Sequence, residues 1–439
     1  MIEMQTPVRG AIDPSPREYP DLVALVRRAE RGPAAAPPAV TCDEIRAWLL
    51  GDAIGEEDLL PLFESLAWRM VAAGLPVDRV TIHVGTLHPE LLGFYWYWRR
   101  SDGLVDELKV QQAGLDTDRY RRSPLAQVIE KGRSFRARTD DPALVVRYPL
   151  LADLRAQGLH DYLVFSMGAG KTYHNAATLA TCRESGFGEA EIQEFRRIFE
   201  IFALHVERHI ALRIAENVLD TYLGSVAGGK VLSGAIRRGA GESIRAVIWM
   251  SDLRGYTGLT DRLPGADVLT VLNEYFERLA GAVIGHGGEI LKYIGDGLLA
   301  VFPFAGAEDE RAAAASAVAA AERALYDVSL LNDDASHNLE QIEGWRPLRS
   351  GIALHIGDVF FGNVGAPERL DFTVIGRAVN EVSRVEAMTK DLARPILITE
   401  PVAKLLDREL ENMGSHRLRG LSGEVTLYSL DHAATAGRR

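Results

Sequence analysis

Two aspartates stand where a chain can hold a divalent cation. Asp252 follows the apolar run Val247-Ile248-Trp249-Met250 and precedes Leu253-Arg254-Gly255-Tyr256-Thr257. That order puts a carboxylate at a strand end, with open backbone amides just beyond it. Asp296 lies in Tyr293-Ile294-Gly295-Asp296-Gly297, flanked by glycines between apolar stretches, as a tight hairpin requires. Magnesium takes oxygen ligands, keeps several waters and is commonly held by one or two carboxylates plus phosphates, so two strand-end aspartates suit it. Taken alone, Asp296 reads as a turn residue, because Asp-Gly is a common hairpin dipeptide. Its surroundings decide.

Three segments keep these aspartates company. The first is 251–257. The second is His286-Gly287-Gly288-Glu289-Ile290-Leu291-Lys292-Tyr293-Ile294-Gly295-Asp296-Gly297. The third is Asp371-Phe372-Thr373-Val374-Ile375-Gly376-Arg377-Ala378-Val379-Asn380-Glu381-Val382-Ser383-Arg384. In this order they resemble the catalytic domain of the class III nucleotidyl cyclases, and the resemblance runs over residues 245–430. It implies that Asp252 and Asp296 bind two metal ions per active site, Mg2+ or Mn2+, that Lys292 and Thr373 read adenine, and that Asn380 and Arg384 act in the transition state. It further implies an α+β fold, a palm with a ferredoxin-like βαββαβ core, and a homodimer with its active sites at the protomer interface. Arg419, in His416-Arg417-Leu418-Arg419-Gly420, resembles the family's triphosphate-binding position and reads equally as an edge-strand cation. Arg377 and Ala378 depart from the family, which more often has an acidic residue and a threonine there.

The residue types suit the implied chemistry. Cyclising ATP requires the 3′-hydroxyl to attack the α-phosphorus in line while pyrophosphate leaves, so activation, charge neutralisation and positioning are the demands. Metals on two carboxylates serve all three, and no protein general base is obligatory. Arg384 offers a planar fork of permanent charge to the phosphate, and Asn380, four residues earlier, shares its face if the segment is helical. The plain alternative for Arg384 is a surface cation paired with Glu381 or Glu386. Adenine presents an acceptor at N1 and a donor at N6, which an ammonium and a hydroxyl oxygen complement. Guanine favours a carboxylate instead. ATP is therefore the expected substrate, with a guanylate cyclase or a non-catalytic nucleotide-binding regulator as the alternatives. Lys292 and Asp296 are four residues apart on an extended strand, about 13 Å, too far to converge on one metal.

Positioning these groups needs an interleaved α+β unit, and the pattern from Arg245 onward supplies it: an apolar strand at 246–250, a helix at 266–283, strands around 290–301, an alanine-rich helix at 308–325 and a strand at 350–356. A chain of 439 residues has room for more than one domain. Residues 199–244 read as a connecting helix, with apolar positions Phe199, Phe202, Val206, Ile210, Ile214 and Val218, followed by a glycine-rich hinge. Near-heptad spacing suggests that this helix dimerises. Residues 42–198 alternate strand and helix patterns in an order that resembles a GAF domain, an α/β sensor-sized unit whose aromatics Tyr95, Trp96, Tyr97 and Trp98 are divided between pocket and core. Residues 1–41, rich in proline and alanine, read as a disordered tail.

Composition narrows the partners. With 49 basic against 61 acidic residues the net charge is −12, a poor footprint for nucleic acid or an anionic membrane. A small polyanion held through metals remains compatible. Two cysteines, Cys42 and Cys182, lack metal-ligand spacing and suit a cytoplasmic setting. No apolar run approaches membrane-spanning length. An unidentified small-molecule effector is expected for the N-terminal region. Gly168-Ala169-Gly170-Lys171-Thr172 ends like a phosphate loop but has Phe165 where that motif requires glycine.

Overall fold

Apolar alternation builds two separate sheets, one in each of the two units into which the chain divides between Val218 and Leu219. The computed structural model describes residues 17–86, 91–168, 175–333, 339–420 and 423–430. Residues 169–172 of the phosphate-loop lookalike lie outside them. Among the described residues no helix is long and apolar enough to cross a membrane.

The N-terminal unit carries strands β1 (Val23–Ala29), β2 (Arg79–Gly85), β3 (Leu91–Arg99), β4 (Val105–Gln111), β5 (Phe135–Arg138), β6 (Asp161–Met167) and β7 (Asn175–Thr181). They form one antiparallel sheet in the order β1-β4-β3-β2-β7-β6-β5. Its helices are α1 (Cys42–Leu50), α2 (Leu59–Ala72), α3 (Asp118–Arg121), α4 (Pro124–Lys131), α5 (Pro142–Arg147), α6 (Leu150–Ala156) and α7 (Glu189–Leu223). One sheet face presents Val80, Ile82 and Val84 to Leu66 of α2 and to Phe195 and Phe202 of α7. The other presents Tyr162, Val164 and Ala180 to Val128 of α4 and to Leu151 and Leu154 of α6. Alternation splits the aromatic run of β3. Trp96 and Trp98 are buried in the first core, and Tyr97 lies under the guanidinium groups of Arg17 and Arg79, 4.2 and 4.9 Å from its ring centre.

The expected tail is ordered from Arg17 onward, and its arginines explain why. Neighbouring Asp106 and Glu107 on β4 are both fully buried, and a buried carboxylate must be paired. Arg17 and Arg28 bind Asp106 at 2.9 and 2.6 Å, while Arg27 binds Glu107, which also receives Arg213 of α7 at 2.7 Å. β1 therefore adds to the sheet edge as the carrier of counter-charge, and the proline- and alanine-rich stretch closes against α2 through a short 3-10 turn at Gly32–Ala35. The connecting helix expected from Phe199 begins earlier in the chain. No glycine or proline interrupts Glu189–Leu223, and it forms one helix of 35 residues whose buried positions end at Val206.

The C-terminal unit contains α8 (Ser225–Leu232), α9 (Tyr256–Thr260), α10 (Gly265–Gly285), α11 (Ala307–Asp333), α12 (Arg377–Asp391) and α13 (Glu400–Ala403). Its strands are β8 (Gly241–Leu253), β9 (Glu289–Ile294), β10 (Gly297–Phe304), β11 (Ser350–Ala366), β12 (Arg369–Ile375), β13 (Ile396–Thr399), β14 (Leu410–Arg417) and β15 (Glu424–Leu430). The sheet order is β14-β15-β13-β11-β8-β10-β9, with β12 paired to β11. Within it β11-β8-β10-β9 has the strand order of a βαββαβ core, with α10 and α11 as its crossovers. Those helices bury Val271, Tyr275, Ala317 and Ala321 with Trp249 of β8, while α12 packs Ala378, Val382 and Val385 on the opposite face. The glycine-rich stretch is partly helical: α8 begins at Ser225 with Gly224 as its N-cap, and Gly228 lies so close to Leu219 and Asp220 that a Cβ there would meet backbone at 3.1–3.2 Å.

Candidate functional site

β8 ends at the sheet centre, and its register brings Asp252 opposite Gly351 of β11. The β9–β10 hairpin turns on Gly295 and Asp296, with Ile294 paired to Gly297, and Gly295 adopts φ +63°, a conformation that disfavours a side chain. Gly297 is required for proximity: a Cβ there would stand 2.7 Å from the Ser251 carbonyl and 3.7 Å from an Asp252 carboxyl oxygen. The hairpin tip thus lies against the end of β8, and the carboxyl groups of Asp252 and Asp296 are near enough for the charge of one to act on the other.

Two carboxyl groups that close require a proton or a cation between them. Burial, then the charge of Asp296, pushes Asp252 up to about 6. Glu386 of α12 is pushed up to about 7 by burial and by the charge of Asp252. Among the described residues no cluster of three or more metal-binding side chains forms. A hard cation here would take two protein carboxylates and complete its shell with water or ligand oxygens, which is how magnesium is commonly held. The donor set fits Mg2+ or Mn2+.

Lys292, exposed on β9, ion-pairs with Asp371 of β12. Thr373 is two residues along β12 and therefore on the same face as Asp371. The two expected base-reading residues accordingly share a neighbourhood, with Asp371 as a member that sequence reasoning left out. Its only signal was its place at the head of the third motif, since its meeting with Lys292 depends on strands 79 residues apart.

Asn380 and Arg384 are one turn apart on the exposed side of α12. Neither expected surface partner holds Arg384. Glu381 takes Arg377 at 2.6 Å and His355 at 2.9 Å, and Glu386 faces Arg254 and Thr389. Among the described residues Arg384 makes no ion pair. Arg419 follows β14, the sheet edge farthest from β9 and four strands from β8, roughly 19 Å across the sheet. Within one protomer, strand order does not bring it to the aspartates.

Residues 242–432 match the family model of the adenylate and guanylate cyclase catalytic domain. An adenylate cyclase of Anabaena cylindrica is 34% identical over 198 residues, 45% of this chain and 37% of its own length. The photoactivated adenylate cyclase subunit alpha of Euglena gracilis is 29% identical over 197 residues, 45% of this chain and 18% of its own. Among solved structures, the adenylyl cyclase CyaB from P. aeruginosa is 25% identical, covering 44% of this chain and 96% of that one with a TM-score of 0.38. The chain therefore spans less than two fifths of the length of these curated relatives. Over residues 242–432 its C-terminal unit is thus similar to the adenylate and guanylate cyclase catalytic domain.

Proposed function

We propose that this chain is an adenylate cyclase that converts ATP to 3′,5′-cyclic AMP and pyrophosphate. The observation that carries the reading is the pair of neighbouring carboxyl groups, Asp252 and Asp296, at the end of β8, whose mutual repulsion a divalent cation would relieve. Two divalent cations bound there supply activation of the 3′-hydroxyl and neutralisation of the phosphate oxygens. Lys292 donates to adenine N1, and the Thr373 hydroxyl accepts from N6. Asn380 orients the ribose. Arg384, without an ion-pair partner among the described residues, stabilises charge on the α-phosphate as the new bond to O3′ forms and the bond to pyrophosphate breaks. The 3′-hydroxyl proton leaves to water. Arg419 is assigned to the triphosphate.

The active form is proposed as a homodimer, each site taking its metal aspartates from one protomer and its base and ribose residues from the other. This is supported by the family resemblance and by the remoteness of Arg419 from the aspartates along the strand order. The N-terminal unit is read as a GAF-like sensor of a small molecule, on the strength of an antiparallel sheet covered by helices on both faces. Two free cysteines suit a cytoplasmic setting.

One observation favours GTP as a second reading: Asp371 sets a carboxylate beside Lys292, and guanine N1 and N2 are donors. Purified protein supplied with ATP or GTP and either Mg2+ or Mn2+ tests both readings through the cyclic product formed. Cyclic AMP as the main product supports the first. Cyclic GMP transfers the assignment to the second, and nucleotide binding without any cyclic product would leave a non-catalytic regulator.

A further inference from the structure

The N-terminal unit holds a cavity of about 460 Å3 on the sheet face opposite α2 and α7. Its floor is formed by His83 of β2 and its cross-strand partner Tyr95 of β3, whose rings stack with centres 5.1 Å apart and planes 17° apart. Leu125 and Ile129 of α4 form the roof, Val110 of β4 a side wall, and the segment 20–23 another. The segment expected to be a disordered tail thus helps to enclose it.

The lining is mostly apolar, and its polar groups are largely committed elsewhere. Thr117 donates to the Gly114 carbonyl and caps α3, and Ser123 caps α4. His83 differs. Its Nε2 hydrogen-bonds the Thr81 hydroxyl at 2.8 Å, and that hydroxyl bonds Thr178 at 2.6 Å, which fixes the ring. Nδ1 has no protein partner among the described residues. Burial lowers His83 to about 3, so the imidazole is neutral at physiological pH. None of the described lining residues is Lys or Arg, and Asp21 supplies a carboxylate at the rim. Among the described lining residues a phosphate-bearing ligand would meet one carboxylate and no Lys or Arg side chain.

We infer that this cavity is a binding site for a neutral, largely apolar aromatic molecule that stacks beside the His83–Tyr95 pair and hydrogen-bonds Nδ1 of His83. Concave apolar walls with one placed polar atom are what small-molecule sites present. The assignment deepens the reading of this unit as a sensor and names the chemistry that it accepts. It distinguishes against cyclic nucleotides, the product class proposed for the C-terminal unit.

The test uses the full chain and a neutral fluorescent probe, N-phenyl-1-naphthylamine, so that binding is read without any turnover. Saturable binding of one probe per chain is expected, weakened roughly tenfold or more by filling the cavity with Ile129→Trp or Val110→Phe. Cyclic AMP and cyclic GMP should not displace the probe. Should the filled variants fail to fold, the exposed Asp21→Lys keeps the question open to decision. It should strengthen binding of the anionic analogue 1-anilinonaphthalene-8-sulfonate and leave the neutral probe unaffected. No probe binding, equal binding in folded filled variants, displacement by a cyclic nucleotide, or indifference of the anionic analogue to Asp21→Lys would each overturn the assignment. Failure of the cyclase assay leaves these outcomes unchanged, so the two readings fail separately.

Discussion

Asp296 stands near enough to Asp252, where the β9–β10 hairpin meets the end of β8, for its charge to raise the Asp252 carboxyl, an approach permitted by the missing side chain of Gly297. A carboxyl whose pKa is higher in the folded state binds its proton more tightly when native. Its contribution therefore favours folding below about pH 4 and is lost as the pH rises through about 6. Without metal, the C-terminal unit should lose on the order of 1 kcal/mol between pH 5 and pH 7.5, allowing for partial exposure. Asp296→Asn should then raise the metal-free Tm by about 2–4 °C at pH 7.5 and abolish both turnover and the Mg2+-induced rise in Tm. Melting curves with and without Mg2+ decide it. A metal-induced rise that survives the substitution would refute the metal assignment.

The exposed Lys292–Asp371 pair should matter for base recognition and little for stability. Surface ion pairs contribute about 0–1 kcal/mol, and both partners are more than two fifths exposed. Asp371→Asn should leave Tm within a degree or two while raising KM for ATP several-fold, because the ammonium loses the anchor that orients it. Lys292→Ala should raise KM further and reduce the preference for ATP over GTP. Steady-state kinetics on both nucleotides check the pair, and an unchanged KM in both variants would remove Lys292 from the base site.

Removing residues 1–30 should unfold the N-terminal unit. Among the described residues Asp106 and Glu107 would keep only Arg213 as an ion-pair partner, and breaking a buried pair by deleting one member costs about 3–5 kcal/mol. Circular dichroism and proteolysis of the truncated chain check this. A truncated chain as stable as the full one would mean that the segment is dispensable.

That truncation also marks what local patterns conceal. The hairpin at Asp296 was readable because its glycines and flanking apolar residues lie within a few positions, and the helical face of Asn380 and Arg384 follows from a four-residue spacing. Arg17, Arg27 and Arg28 find their carboxylates 78 to 89 residues away, so proline and alanine content alone read as disorder. The Lys292–Asp371 contact was hidden for the same reason, since strand order must be known before β9 and β12 are neighbours. The alanine-rich helix expected at 308–325 runs on to Asp333, which shows helix propagation carrying past a change in composition.

The exposed half of α7 offers the last test. Its buried positions end at Val206, yet Leu204, Leu212 and Tyr222 are 62%, 55% and 82% exposed. Large apolar side chains along a helix that has left its own core suit a second copy of the same helix. Leu204→Glu with Leu212→Glu places charge on that surface without touching either core, so both units should melt as before. If the active site is completed by two protomers, the variant should dissociate at concentrations where the parent is dimeric. Its specific activity should also fall steeply on dilution. Sedimentation velocity and cyclase rate measured across the same dilution series read both quantities. A monomer that keeps the full specific activity would refute the shared site, whereas an unchanged dimer would assign association to the C-terminal unit alone.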